Sequence, residues 1–184
     1  MTTSSFSIVR PQFGKFLAIS FVALTIAGCN TSLPPPCPPV RVDSTTGIMT
    51  KFRDGAGQDL SGVEYEVEIV GFRGECVIEP NEEVAVILDV DFEITSGPAA
   101  QAGPATFYYF AAIPQFYPQD SGKKIFEVSR RLQGGATAPI LHKEENVRIE
   151  IPLKEKQPAA SFDIYIGLQL SDSQLEFNRQ RMQR

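Results

Sequence analysis

Val63-Glu64-Tyr65-Glu66-Val67-Glu68-Ile69 alternates apolar and acidic residues without a break. In an extended chain successive side chains point to opposite faces, so Val63, Tyr65, Val67 and Ile69 share one face and three glutamates share the other. This is the mark of a strand with one dry and one wet side, and hence of an antiparallel sheet. Val84 to Ile94 repeats the pattern. Val84, Val86, Leu88, Val90, Phe92 and Ile94 face in, while Ala85, Ile87, Asp89, Asp91 and Glu93 face out. Between the two stretches Gly71, Gly74, Pro80 and Asn81 supply turn chemistry, which places Cys76 in a connection.

Working outward, the period-two signal continues to both sides. Thr106 to Ile113 is an aromatic-rich strand closed by Pro114, and Ile125 to Leu132 is followed by a Gly134-Gly135 loop. Val147 to Ile151 stops at Pro152, and Phe162 to Leu170 is the last strand, with short strands expected near Met49 to Phe52 and Val40 to Val42. Roughly seven or eight strands in about 140 residues predict an all-β antiparallel sandwich. The layout resembles immunoglobulin and fibronectin III domains, although the chain has no Trp. A small β-barrel is the alternative, because alternation alone does not separate one closed sheet from two packed ones. Residues 172–184 change character. A Ser173…Glu176 capping box predicts a short helix from about Gln174, with Arg179, Arg181 and Arg184 near its C-terminal end, where the helix dipole favours cations.

The 184 residues leave room for one domain with appendages. A hydrophobic content of 42% with 21% charged residues makes the chain globular rather than disordered. Its formal charge is −5, and residues 1–28 contain Arg10 and Lys15 and no acid, so the remainder is more acidic still. That excludes a basic nucleic-acid footprint. A single histidine, His142, leaves little scope for zinc chemistry or imidazole catalysis, and in Leu141-His142-Lys143-Glu144-Glu145 it reads as a solvated loop residue. No nucleophile elbow, zinc motif, phosphate loop or dinucleotide fingerprint is present. The expectation is therefore a non-enzyme without cofactor or metal.

Residues 16–28 form an apolar run, shorter than the ~20 residues a membrane span needs but fitting the core of an export signal. The run ends in Leu24-Thr25-Ile26-Ala27-Gly28-Cys29, which resembles the lipobox of bacterial lipoproteins. That resemblance implies cleavage before Cys29, acyl chains such as palmitate on its thiol, and a protein anchored in the envelope and facing the periplasm. By the same resemblance, Asn30 after the cysteine favours the inner leaflet of the outer membrane. With Cys29 set aside, Cys37 and Cys76 remain as a pair, which in an exported protein reads as a disulfide. Pro34, Pro35, Pro36, Pro38 and Pro39 make residues 29–39 an extended spacer, which at ~3.1 Å per residue holds the domain (40–171) about 30 Å from the membrane.

Two features stand out as candidate surfaces. Glu64, Glu66 and Glu68 lie on one strand face and Asp89, Asp91 and Glu93 on another. If the strands pair, six carboxylates crowd one surface and call for a neutraliser. Lys123, Lys124, Arg130, Arg131 and Arg148 are available for that, as are a bound calcium ion or a basic partner. Phe107-Tyr108-Tyr109-Phe110 carries rings on both faces, so one side is covered by a loop or offered to a partner. Taken whole, the chain resembles uncharacterised single-domain envelope lipoproteins of alphaproteobacteria. The resemblance rests on the lipobox, on Cys37-Pro38-Pro39-Val40-Arg41-Val42, on residues 51–60 and 63–70, and on Gly167-Leu168-Gln169-Leu170. It implies a location and no activity. The expected function is a membrane-anchored protein that binds another envelope protein; the alternative is a periplasmic lipoprotein that binds a small ligand or a metal ion.

Overall fold

Eight strands form two four-stranded sheets, in the orders β1-β8-β5-β6 and β2-β3-β4-β7. They are β1 (Val40–Val42), β2 (Ile48–Phe52), β3 (Val63–Ile78), β4 (Glu83–Ser96), β5 (Gly103–Ala112), β6 (Lys123–Leu132), β7 (Ile140–Pro152) and β8 (Ile164–Leu168), followed by helix α1 (Asp172–Met182). This computed structural model describes residues 36–79, 83–135, 138–153 and 157–183, all within one compact unit, Pro34–Arg184. The architecture is the expected all-β sandwich, with two separate sheets rather than a closed barrel. The export signal, the lipobox with Cys29 and the first part of the spacer lie outside the described residues.

The inward residues anticipated for β4 all reach the core. Val84, Val86, Leu88, Val90, Phe92 and Ile94 are buried, and they meet Phe107, Tyr109 and Val128 from the opposite sheet. Every strand pair is antiparallel except β1 with β8, where Val40 lies opposite Ile164. β1 and β2 belong to different sheets, so the chain changes sheets at residues 43–47. The crossing is fixed on both sides: Leu168 N–H donates to the Thr46 carbonyl at 2.7 Å and Ile69 N–H to the Gly47 carbonyl at 2.9 Å.

The connection expected between Ile69 and Val84 is instead strand. β3 continues to Ile78 through Gly71 and Gly74 and pairs with β4 to the end. The reason is a bulge. Ile69 lies opposite Phe92 and Gly71 opposite Asp91, leaving Val70 unpaired, so the alternation changes phase there. Beyond Val70 the even-numbered residues face the other sheet. Gly74 is one of them, and a Cβ at that position would collide with the Leu88 side chain opposite.

The same phase change turns Cys76 inward. Its sulfur meets that of Cys37, with the Cα atoms 5.8 Å apart. The pair therefore links β3 of one sheet to the segment entering β1 of the other. This corrects the expectation that Cys76 lies in a connection.

Candidate functional site

The outer face of the β1-β8-β5-β6 sheet is built by the outward residues of β5, β6 and β8. Phe107 and Tyr109 point into the core, so Tyr108 and Phe110 point out. Tyr108 lies opposite Glu127 and Phe110 opposite Ile125. Tyr108 and Ile125 are exposed, at 43% and 55%. Gly167 opposes Phe110 on β8, where a Cβ would stand 2.6 Å from the phenyl ring; glycine lets that ring lie across the sheet. Lys123 Nζ sits 4.3 Å from the centre of the Phe110 ring and donates to Gln169 Oε1 at 2.8 Å. The bond from Tyr108 to the Glu127 carboxylate, followed by the charge of Glu127, holds the phenol above its ordinary pKa. The result is an aromatic and aliphatic surface with a polar rim.

On the opposite sheet the six predicted carboxylates share the outer face but do not form one cluster. Only Glu68 and Glu93 stand directly opposite each other. Glu66 accepts from Thr50 Oγ1 at 2.9 Å and from Arg181 Nη1 at 2.8 Å. Asp91 pairs with Lys143 at 3.6 Å, and Asp89 accepts from the Asn146 amide at 3.2 Å and faces Arg73. Glu64 is the extra residue of a second irregularity, where Lys51 pairs with Tyr65 and Phe52 with Val63. The neutralisers differ from those anticipated. Lys123, Lys124 and Arg131 belong to the other sheet, and Arg148 pairs with Glu79 and Glu150. No group of three or more His, Cys, Asp or Glu side chains among the described residues is arranged to hold a metal ion.

His142 is the clearest correction. It lies within β7, only 8% exposed, rather than in a solvated loop. Its ring stacks on Phe92 with centroids 6.2 Å apart. Arg130 Nε donates to Nδ1 at 2.9 Å, and Nε2 lies 2.5 Å from Glu144 Oε1. A guanidinium only donates, so Nδ1 accepts from Arg130, whose Nη2 also lies 3.1 Å from Nε2, and the ring is held between the guanidinium and the Glu144 carboxylate. Arg130 belongs to edge strand β6 and the other two residues to edge strand β7, so the three side chains clasp the sheets along one side. Both ring nitrogens are engaged in that clasp. Sequence reading missed it because Asn146, at φ 57°, adds a residue between Glu144 and Val147 and reverses the alternation. An asparagine ahead of a clean strand was the available signal.

The chain matches no protein-family model, no curated protein and no solved structure. A concavity of about 480 Å³ forms an open groove between residues 50–58 and the start of α1, lined by Thr50, Lys51, Arg53, Asp54, Gln58 and Gln174 among others.

Proposed function

We propose that this is a non-enzymatic cell-envelope lipoprotein, anchored through an acylated Cys29, whose sandwich binds another envelope protein. The observation that carries the binding role is the outward surface of Tyr108, Phe110 and Ile125. Tyr108 and Ile125 open to water beside a half-buried Phe110, on a sheet face with a polar rim, have the composition of a protein-docking surface. The anchor is supported by Leu24-Thr25-Ile26-Ala27-Gly28-Cys29 and by a cysteine pair at disulfide distance, which suits an oxidising compartment. The small-ligand alternative is less well served, since a polar, open groove buries little of an apolar ligand.

Photocrosslinking in cells tests the binding role. A crosslinker at Ile125 is expected to capture one dominant partner, and a crosslinker at Glu68 on the opposite sheet is not. Capture only from Glu68 would move the interface to the acidic face. The anchor is tested by the mass of the mature N-terminus. An acylated Cys29 is expected, and a chain retaining Met1 overturns it.

A further inference from the structure

The spacer enters at a defined end of the sandwich. β1 and β8 begin there, β5 ends there with Ala112 opposite Tyr165, β6 begins there with Lys123, and β3 and β4 reach it with Ile78 opposite Val84. The Cys37–Cys76 link fixes the entering chain to the last turn of β3. Three large apolar or aromatic side chains at this end are open to water in whole or in part. Tyr117, between β5 and β6, is 85% exposed, and Val77 and Ile78 are 47% and 46% exposed. Val77 and Ile78 are consecutive residues of β3, so they point to opposite faces of the sheet, each partly open to water.

We infer that this end of the domain is a lipid-contacting surface, with Tyr117, Val77 and Ile78 resting in the headgroup layer of the membrane that holds Cys29. The inference rests on the lipid-anchor reading. Chain length selects the end. Residues 29 to 37 span at most about 28 Å when fully extended, whereas the sixteen residues of β3 carry the opposite end roughly 50 Å further away. A spacer standing upright would hold the domain off the bilayer. The contact therefore has the spacer lying along the membrane surface, and the end it enters is then the part of the domain nearest the headgroups. Its charges are mixed: Glu79 is paired with Arg148, and Asp120 lies near Lys123 and Lys124 in the chain. Contact is thus driven by apolar side chains rather than by anionic lipid. A tyrosine suits the boundary, with its ring towards the acyl region and its hydroxyl among the headgroups. Three side chains are too few to hold a soluble protein on a membrane, but the anchor raises their local concentration enough for weak contact to persist.

The protein has no Trp, so a single introduced indole reports its surroundings without background. Lipidated full-length Tyr117→Trp, Val77→Trp and Leu60→Trp would be reconstituted into phosphatidylethanolamine–phosphatidylglycerol vesicles containing lipids brominated near the glycerol end of the acyl chain. Leu60 is exposed at the opposite end, beside the β2–β3 connection. Expected are a blue shift and loss of emission for Tyr117→Trp and Val77→Trp, and an unchanged spectrum for Leu60→Trp. Vesicle-bound protein with no quenching at either spacer-end position, or with equal quenching at Leu60→Trp, overturns the lipid contact and leaves the anchor standing. Protein that stays out of the vesicle fraction overturns the anchor and the contact with it.

Discussion

Tyr65 and Tyr109 are both buried phenols, and they differ in what their hydroxyls meet. Tyr65 Oη donates to the Thr106 carbonyl at 2.8 Å, across the two sheets. The Tyr109 hydroxyl has no hydrogen-bond partner among the described residues, although its ring is enclosed by Phe92 and Phe126. Losing a satisfied bond costs about 1 kcal/mol, whereas removing an unsatisfied buried hydroxyl removes a penalty of about 1–3 kcal/mol. Tyr65→Phe is therefore expected to lower the urea midpoint at pH 7, and Tyr109→Phe to leave it unchanged or raise it. Both phenols are held above their ordinary pKa of 10.0, chiefly by burial and then by Glu64 for Tyr65 and Glu144 for Tyr109. As pH rises past about 10, the unfolded chain loses these protons first, so the native state binds more protons and stability falls. Urea titrations at neutral and alkaline pH should show a smaller alkaline loss in Tyr109→Phe than in the parent. An equal loss in both would mean that other groups govern the alkaline limb.

Among the elements, α1 has a role its polar sequence conceals. Sheet edges expose unpaired backbone groups, and β2 is an edge. Asn178, only 4% exposed, donates through Nδ2 to the Thr45 carbonyl at 2.8 Å and the Ile48 carbonyl at 2.6 Å. One turn earlier, Gln174 Nε2 reaches the Thr50 carbonyl at 3.2 Å. The cap is Ser171 with Gln174, not the expected Ser173 with Glu176. A glutamine can receive the Ser171 amide on its oxygen while its nitrogen bonds the strand, which a glutamate cannot do. Asn178→Leu leaves two carbonyls unpaired and is expected to cost about 1–3 kcal/mol. It should also yield concentration-dependent oligomers by size-exclusion chromatography as the edge opens; a stable monomer would show that the helix does not guard it. At this scale the sequence was most legible where alternation ran unbroken, as in β4. It was misread wherever a single inserted residue changed the phase: Val70 put Cys76 in a loop, and Asn146 put His142 in solvent. Alternation reports a face only relative to its own stretch, and a bulge is a local backbone event with little compositional trace. The acidic residues were read on the correct faces, but their neutralisers come from a helix and a neighbouring strand, which no local pattern reveals.

For the molecule as a whole, the question is what keeps the two sheets from separating where the chain enters. β1 is three residues long and pairs only with β8, so it brings few backbone bonds of its own. The Cys37–Cys76 link spans a sequence separation of 39 residues, and closing a loop of that size stabilises the native state by up to about 4 kcal/mol in the chain-entropy model. The core of large buried side chains from both sheets does not depend on that link, and neither do the Arg130–His142–Glu144 clasp on one side and the α1 cover on β2. Reduction, or Cys37→Ser with Cys76→Ser, is therefore expected to leave the sandwich folded but to lower its melting temperature by roughly 10 °C. Hydrogen exchange should locate the change. Amides of Val40–Val42 and of their partners Ile164–Ile166 should lose protection, while those of β4, in the middle of the other sheet, exchange only through global unfolding. Uniform acceleration across both sheets would show instead that the link supports the whole fold. In that case, freeing the spacer would unfold the domain rather than merely release its first strand.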